Sequence, residues 1–305
     1  MKSVLTIAGS DPSGGAGIQA DIKTITVHGV YATSAITAIT VQNTLGVTAS
    51  YPVPATVIKE QIEAIVTDIR PDAIKIGMLP NVETVHAVCD CIEKYELANV
   101  VVDPVMVSTS GHKLNDETIL DVMLDRLFPL VSVLTPNITE AETLADAVFS
   151  NIAIQNFSDM QSAANSLREG ILLYDQMEKE GPYAGIIVTE LEDDEPLPEV
   201  GDIIELDRGV PAILIKGGHL TDCSDDLLYD GDKYYRLQSK RIDNDNTHGT
   251  GCTLSSAIAC NLALGYDVLE SVGHAKRYIM GAIKDGLDLG QGNGPLNHMY
   301  DLDLL

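Results

Sequence analysis

The segment Asn246-Thr247-His248-Gly249-Thr250-Gly251-Cys252 brings a thiol, an imidazole and two glycines to the start of an Ala/Ser/Leu-rich helical stretch. Backbone N–H groups at such a start have no intrahelical acceptor, and their dipoles favour anions, so Gly249, Thr250 and Gly251 can form an anion hole. In phosphoryl transfer a hole of this kind holds the charge that develops on the migrating group. Cys252 stands where a helix dipole lowers a thiol pKa, which suits it to take the proton of an attacking hydroxyl as general base. A small buried thiol is the alternative. His248 is either a phosphate contact or a turn residue, and the turn is preferred.

A second glycine-dense loop, Gly9-Ser10-Asp11-Pro12-Ser13-Gly14-Gly15-Ala16-Gly17, follows a short apolar run and opens another helical pattern. It has the makings of an anion or ligand loop, because glycine admits a close approach of backbone. Gly15-x-Gly17-x-x-Ala20 fits a loose dinucleotide fingerprint, yet the acidic residue that should follow about 20 positions later is missing. No Asp or Glu occurs from Ile22 to Lys59. A Walker loop also fails, since Gly14 is followed by Gly15-Ala16 rather than Lys-Ser/Thr. Asp21, one turn into the helix, is either a solvated carboxylate or one that accepts a bond from a substrate hydroxyl or amine at a pocket floor. Gln42, in Val41-Gln42-Asn43-Thr44, carries donors and an acceptor on one planar group, the geometry that reads an aminopyrimidine edge. Turn chemistry at a strand end explains the same residues equally well.

These residues need a scaffold, and the patterning supplies one. Apolar runs at Ser3–Ala8, Ala32–Val41, Ala73–Ile76, Val100–Val102, Val131–Leu134, Ile186–Val188 and Ala212–Ile215 read as strands. Helical patterns lie between and after them, at Gly17–His28, Ala55–Ile69, Val82–Tyr95, Asp116–Leu127, Thr139–Ala147, Asp159–Glu178, Cys252–Leu264 and Val268–Leu287. Asp230-Gly231 inside Leu227–Leu237 signals a hairpin. The βα rhythm predicts one α/β domain over residues 1–305, with a mostly parallel sheet covered by helices on both faces. Ligands of such sheets bind beyond the carboxyl ends of the strands.

With 19 Lys and Arg against 45 Asp and Glu, the net charge of −26 argues against nucleic acid or an anionic membrane as partner. The five cysteines, Cys89, Cys91, Cys223, Cys252 and Cys260, form no C-x-x-C pair and read as reduced thiols of a cytoplasmic protein. No run has the length of a membrane span, and the apolar run at the N-terminus is too short for a signal peptide.

Together these motifs resemble the hydroxymethylpyrimidine/phosphomethylpyrimidine kinases of thiamine biosynthesis, which have the ribokinase-like fold and are close to pyridoxal kinases. The likeness is carried by Ala8–Asp21, Gln42-Asn43-Thr44, Lys75-Ile76-Gly77-Met78-Leu79, Asp103-Pro104-Val105-Met106, Thr135-Pro136-Asn137 with Glu140, Lys216-Gly217-Gly218-His219 and His248–Cys252. It implies ATP and Mg²⁺ as cofactors, a small pyrimidine substrate phosphorylated twice, and a homodimer. It implies that Gly9, Asp21, Gln42, Met78 and Val105 form the pyrimidine pocket. Asn137, Glu140 and Lys216 would contact the nucleotide, with Glu140 and Asp103 on the metal side and Cys252 as base. Pyridoxal kinase is the alternative within the same chemistry; an idle ligand-binding scaffold and a dehydrogenase are rivals from other classes. The chain departs from the family in an additional acidic stretch, roughly Ile186–Gly209, close to where the nucleotide would sit.

Overall fold

The computed structural model describes residues 1–105, 119–148, 150–179, 210–218, 224–244 and 246–302. Met106, the expected strand Ile186–Val188, the acidic stretch Ile186–Gly209, His219, Cys223 and the first residues of the expected helix Asp116–Leu127 lie outside the described residues.

Among the described residues nine strands form one sheet in the order β3-β2-β1-β4-β5-β6-β7-β8-β9. They are β1 (Ser3–Ser10), β2 (Tyr31–Asn43), β3 (Gly46–Pro52), β4 (Ala73–Ile76), β5 (Val100–Val102), β6 (Val133–Leu134), β7 (Ala212–Ile215), β8 (Asp226–Tyr229) and β9 (Tyr234–Leu237). The pairs from β2 through β1, β4, β5 and β6 to β7 are parallel; β3 and the β8–β9 hairpin add antiparallel edges. The expected mostly parallel sheet is therefore present. The edge strand β3 is an addition: its Gly46, Ser50 and largely exposed residues give no apolar run to read.

Strand alternation sorts the core onto two faces. Leu5, Ile7, Ile74, Ile76, Val100, Val102, Leu134, Ile213 and Ile215 point into one cluster. It is covered by α2 (Ala55–Val66), α3 (Val82–Lys94), the short α4 (Ile119–Val122), α5 (Ile138–Ala147) and α6 (Phe157–Lys179). Val4, Ala73, Val101, Val133, Ala212 and Leu214 point to the other face, under α1 (Gly17–Val27), α7 (Thr250–Leu264) and α8 (Val268–Asp285). α7 is apolar almost all round because it is sandwiched between the sheet and α8.

Local chemistry sets the helix starts near the cleft. Asn137 caps α5 by accepting from the Glu140 N–H at 2.9 Å, while the Glu140 side chain accepts from the Asn137 N–H at 2.8 Å. α7 starts without a side-chain cap, from Gly249 in the left-handed region at φ 87°. Among the described residues no helix is long and apolar enough to cross a membrane.

Candidate active site

A cleft of about 730 Å³ runs along the carboxyl ends of the parallel strands. Gly9 closes β1, Gln42 closes β2, Met78 follows β4, Asp103 and Val105 follow β5, Asn137 follows β6 and Lys216 follows β7. All of these line the cleft, with Glu140 of α5 and Gly249, Thr250, Gly251 and Cys252 at the start of α7. Residues from seven separate segments thus converge because each sits at the same end of the sheet.

The start of α7 leaves backbone donors without helical acceptors. The Thr250 N–H turns back to the Thr247 carbonyl at 3.3 Å, and the Thr253 N–H begins the helical ladder on the Gly249 carbonyl at 2.9 Å. The Gly251 and Cys252 N–H groups between them have no backbone acceptor among the described residues. Gly251 is required for close approach, since a Cβ there would stand 2.8 Å from Asp103 Oδ2 and 3.4 Å from Lys216 Nζ.

Cys252 departs from expectation in its acidity. Burial pushes its thiol up to about 11, although the nearby Lys75 ammonium and the Gly17 N–H pull the other way. Removal of the thiolate from water outweighs the helix dipole, so Cys252 is a thiol at neutral pH in the ligand-free protein.

Asp21 is neither a solvated acid nor part of the cleft lining. It is fully buried between the sheet and α7, and both oxygens are committed. Oδ2 accepts from Thr6 Oγ1 at 2.6 Å and from Lys75 Nζ at 3.0 Å, and Oδ1 accepts from Ser256 Oγ at 2.8 Å. With no exposed surface and no place in the cleft lining, it meets no ligand space in this structure, which differs from the expectation. Lys75, on the β4 residue paired with Thr6, is fully buried too. Burial would lower its pKa, but the Asp21 carboxylate keeps it raised above an ordinary lysine. A lysine inside the apolar run Ala73–Ile76 was the signal in the sequence for this buried pair.

At the opposite side, Lys216 Nζ donates to Asp103 Oδ1 at 2.7 Å and lies 3.9 Å from Glu140 Oε2. Burial would lower the Lys216 pKa, but Asp103 and Glu140 hold it raised. This cluster opens into the cleft. Beyond it the lining continues through Lys240, Arg241, Ile242, Ile279, Met280 and Ile283, which pattern analysis did not single out. They form an apolar slot rimmed by cations, suited to a flat base carrying phosphates.

His248 is a tertiary link rather than a simple turn residue. Its Nε2 lies 2.8 Å from Asp11 Oδ2 and 3.3 Å from Gln42 Nε2. Asp11 also accepts from the Ser13 N–H and Oγ and from the Gly15 and Ala16 N–H groups, at 2.7–3.2 Å. Burial would raise its carboxyl pKa, but the His248, Ser13 and Ala16 bonds overcome this and hold it at about 2. A Cβ on Gly15 would collide with the His248 ring, and one on Gly249 with the Gly15 carbonyl. The two glycine-rich motifs are thereby packed against each other.

Comparison with known proteins gives the chain a family. The family model for phosphomethylpyrimidine kinase matches residues 11–174 and 183–297. The thiamine biosynthesis bifunctional protein ThiED of Geobacter sulfurreducens is 41% identical over 97% of this chain and 52% of its own length. The chain spans about half the length of the bifunctional relatives it matches. A hydroxymethylpyrimidine/phosphomethylpyrimidine kinase of Haemophilus influenzae is 38% identical over 98% of this chain and 97% of its own. Among solved structures, the ADP complex of Bacillus subtilis pyridoxal kinase superposes with a TM-score of 0.77 at 33% identity, covering 98% of both chains. A phosphomethylpyrimidine kinase from Clostridium difficile gives 0.70 at 38% identity, covering 93% of this chain and all of that one.

Proposed function

The chain belongs to the phosphomethylpyrimidine kinase family, and from that premise we propose that it transfers phosphate from ATP to 4-amino-5-hydroxymethyl-2-methylpyrimidine and then to the monophosphate, giving the diphosphate for thiamine biosynthesis. The observation that carries this reading is one cleft that brings together Gly9, Gln42 and Met78, the cations Lys216, Lys240 and Arg241 with the carboxylates Asp103 and Glu140, and the start of α7. Those are the groups needed to hold an alcohol and a nucleotide beside an anion hole.

The chain's own groups divide the work. Gln42, Met78 and Val105 hold the ring, so that the hydroxymethyl oxygen faces α7. The Gly251 and Cys252 N–H groups and the α7 dipole stabilise charge on the migrating phosphoryl. Cys252 Sγ is the nearest candidate to receive the hydroxyl proton. Lys216 exchanges its carboxylate partners for phosphate oxygens, as a flexible cation at a cleft can.

The donors also fit magnesium. Among the described residues no three His, Cys, Asp or Glu side chains form a metal cluster. Mg²⁺ does not need one, because it binds through one or two carboxylates, waters and substrate phosphates. Asp103 and Glu140 would hold it, and it would supply neutralisation of the phosphate charge.

The apolar residues Ile39, Val41, Leu45 and Tyr51, exposed along the β2–β3 edge, support assembly as a homodimer. The free thiols Cys89, Cys91, Cys252 and Cys260 support a cytoplasmic setting.

Transfer of ³²P from ATP to the hydroxymethylpyrimidine, its monophosphate and pyridoxal, measured side by side, tests the reading. The pyrimidines are expected to be preferred. Pyridoxal kinase is the second reading, favoured by the higher TM-score of 0.77 against 0.70, and a preference for pyridoxal overturns the first. Cys252→Ala is expected to lower kcat about 10²- to 10⁴-fold. Turnover near wild type removes Cys252 as base.

A further inference from the structure

A carboxamide reads a ligand edge in one polarity or the reverse, depending on a 180° rotation that exchanges its oxygen and nitrogen. Gln42 is held from both sides: its Oε1 stands 3.2 Å from Thr40 Oγ1 and its Nε2 stands 3.3 Å from His248 Nε2, and each contact tests that rotation independently.

On one side stands Thr40. Its Oγ1 has a single hydrogen and two neighbours, the Ser10 carbonyl at 2.6 Å and the Gln42 carboxamide at 3.2 Å. A carbonyl can only accept, and the contact to it is the shorter, so the hydrogen goes to Ser10. Thr40 therefore offers Gln42 a lone pair, which Oε1 cannot use, and the 180° rotation brings the NH₂ to it.

On the other side stands His248. Its Nε2 lies 2.8 Å from Asp11 Oδ2, and Asp11 is a buried carboxylate accepting four further bonds. A carboxylate only accepts, so Nε2 must carry the hydrogen, in the neutral Nε2–H tautomer or in the imidazolium alike. Gln42 Nε2, 3.3 Å from this N–H, sets donor against donor, and the 180° rotation brings the oxygen there instead. Two unrelated constraints give the same orientation.

We propose that Asp11 and His248 are positioning residues that lock the Gln42 carboxamide with its oxygen towards His248 and its NH₂ towards Thr40, making the site selective for a 4-amino ring over a 4-oxo ring. The inference rests on the pyrimidine reading above and adds the direction in which the ring is read. His248 immediately precedes Gly249, so the oxygen lies on the side of Gln42 nearer α7, while the NH₂ lies towards Ser10. On the substrate, the 4-substituent is adjacent to the hydroxymethyl group, which must face α7. The order along the edge is then hydroxymethyl, 4-amino donor, ring-nitrogen acceptor. A 4-amino group donates to the locked oxygen, and the ring nitrogen accepts from the locked NH₂. A 4-oxo ring presents an acceptor followed by an N–H donor, opposing the lock at both atoms. Turning the ring over would move the hydroxymethyl group away from α7. Without the lock, Gln42 rotates and serves either ring.

The test compares kcat/KM for the hydroxymethyl-4-aminopyrimidine and its 4-oxo analogue in wild type and His248→Phe, which keeps a ring of similar size. Wild type is expected to prefer the amino ring by about 10- to 100-fold, the range for a bidentate pair. His248→Phe should bring the two within about threefold, even where absolute rates fall, by loss of the pair. Thr40→Val should narrow the ratio and Thr40→Ser should restore it. An unchanged ratio in His248→Phe overturns the proposal, because a merely structural role would slow both rings alike. A measurement on the unmutated chain stands apart from turnover. Long-range ¹H–¹⁵N spectra should show hydrogen on His248 Nε2, and the Gln42 NH₂ protons should give NOEs to the Thr40 side chain. An Nδ1–H tautomer, or NOEs from that NH₂ to the His248 ring alone, overturns the lock. If wild type phosphorylated neither ring, the proposed function would fall, and these spectra would still decide the orientation of Gln42.

Discussion

Two lysine–aspartate pairs lie against the same sheet and do opposite things. Lys75–Asp21 has both side chains 0% exposed, with Thr6 and Ser256 completing the carboxylate's bonds. Lys216–Asp103 has 16% and 3% exposed and opens to the cleft, with Glu140 only 3.9 Å from the ammonium. A sealed pair cannot exchange partners, because separation would strand two charges in low dielectric. A pair with one open side can give up a carboxylate when a more highly charged ligand arrives. The first serves the scaffold under Cys252; the second suits a migrating phosphate.

The largest expected consequence is in stability. Lys75→Met should cost about 3–5 kcal/mol in urea unfolding, the range for breaking a buried pair. The double variant Lys75→Met with Asp21→Asn should recover much of this by removing the stranded charge. A single-variant loss below about 1 kcal/mol breaks the comparison. Lys216→Met should instead act on turnover, lowering kcat about 10²-fold through lost charge stabilisation, with a smaller stability change than Lys75→Met. Equal stability losses would mean the two pairs are alike.

Asp11–His248 is a third pair, intermediate in kind, and pH sharpens its place. Its carboxyl is depressed from 3.8 to about 2, so it stabilises the fold above pH 4. That contribution, about 2 kcal/mol, fades as pH falls from 4 through 2. Denaturant midpoints across that range should show a steeper acid loss in wild type than in Asp11→Asn.

A last effect, on the pH profile, concerns Cys252, whose thiol burial pushes up to about 11. A base must be deprotonated, so kcat/KM should rise about tenfold per pH unit from 7 to 9 in wild type, and the slope should vanish in Cys252→Ala. A flat wild-type profile assigns the proton to another acceptor.

Much of the scaffold was legible. Ala73–Ile76, Val100–Val102 and Ala212–Ile215 were readable to the residue, because strands buried on both faces are continuous apolar runs. The Asn137/Glu140 capping box, although written locally three residues apart, was not read from the sequence and emerged with the structure. β3 was not legible, since an exposed edge strand has no buried face to impose a pattern. Cys252 was placed correctly at its helix start, yet its acidity was misjudged, because burial comes from α1 and the sheet rather than from its own helix.

The sequence by itself determined the order of elements, the glycine turns and the helix starts, all of which depend on contacts within a few residues. Only the tertiary structure decided which charges meet. Lys75 and Asp21 are 54 positions apart, Lys216 and Asp103 are 113, and His248 and Asp11 are 237. Whether a carboxylate is a ligand, a strut or a latch depends on its partner and on access to water, and both are fixed only when the layers close over it.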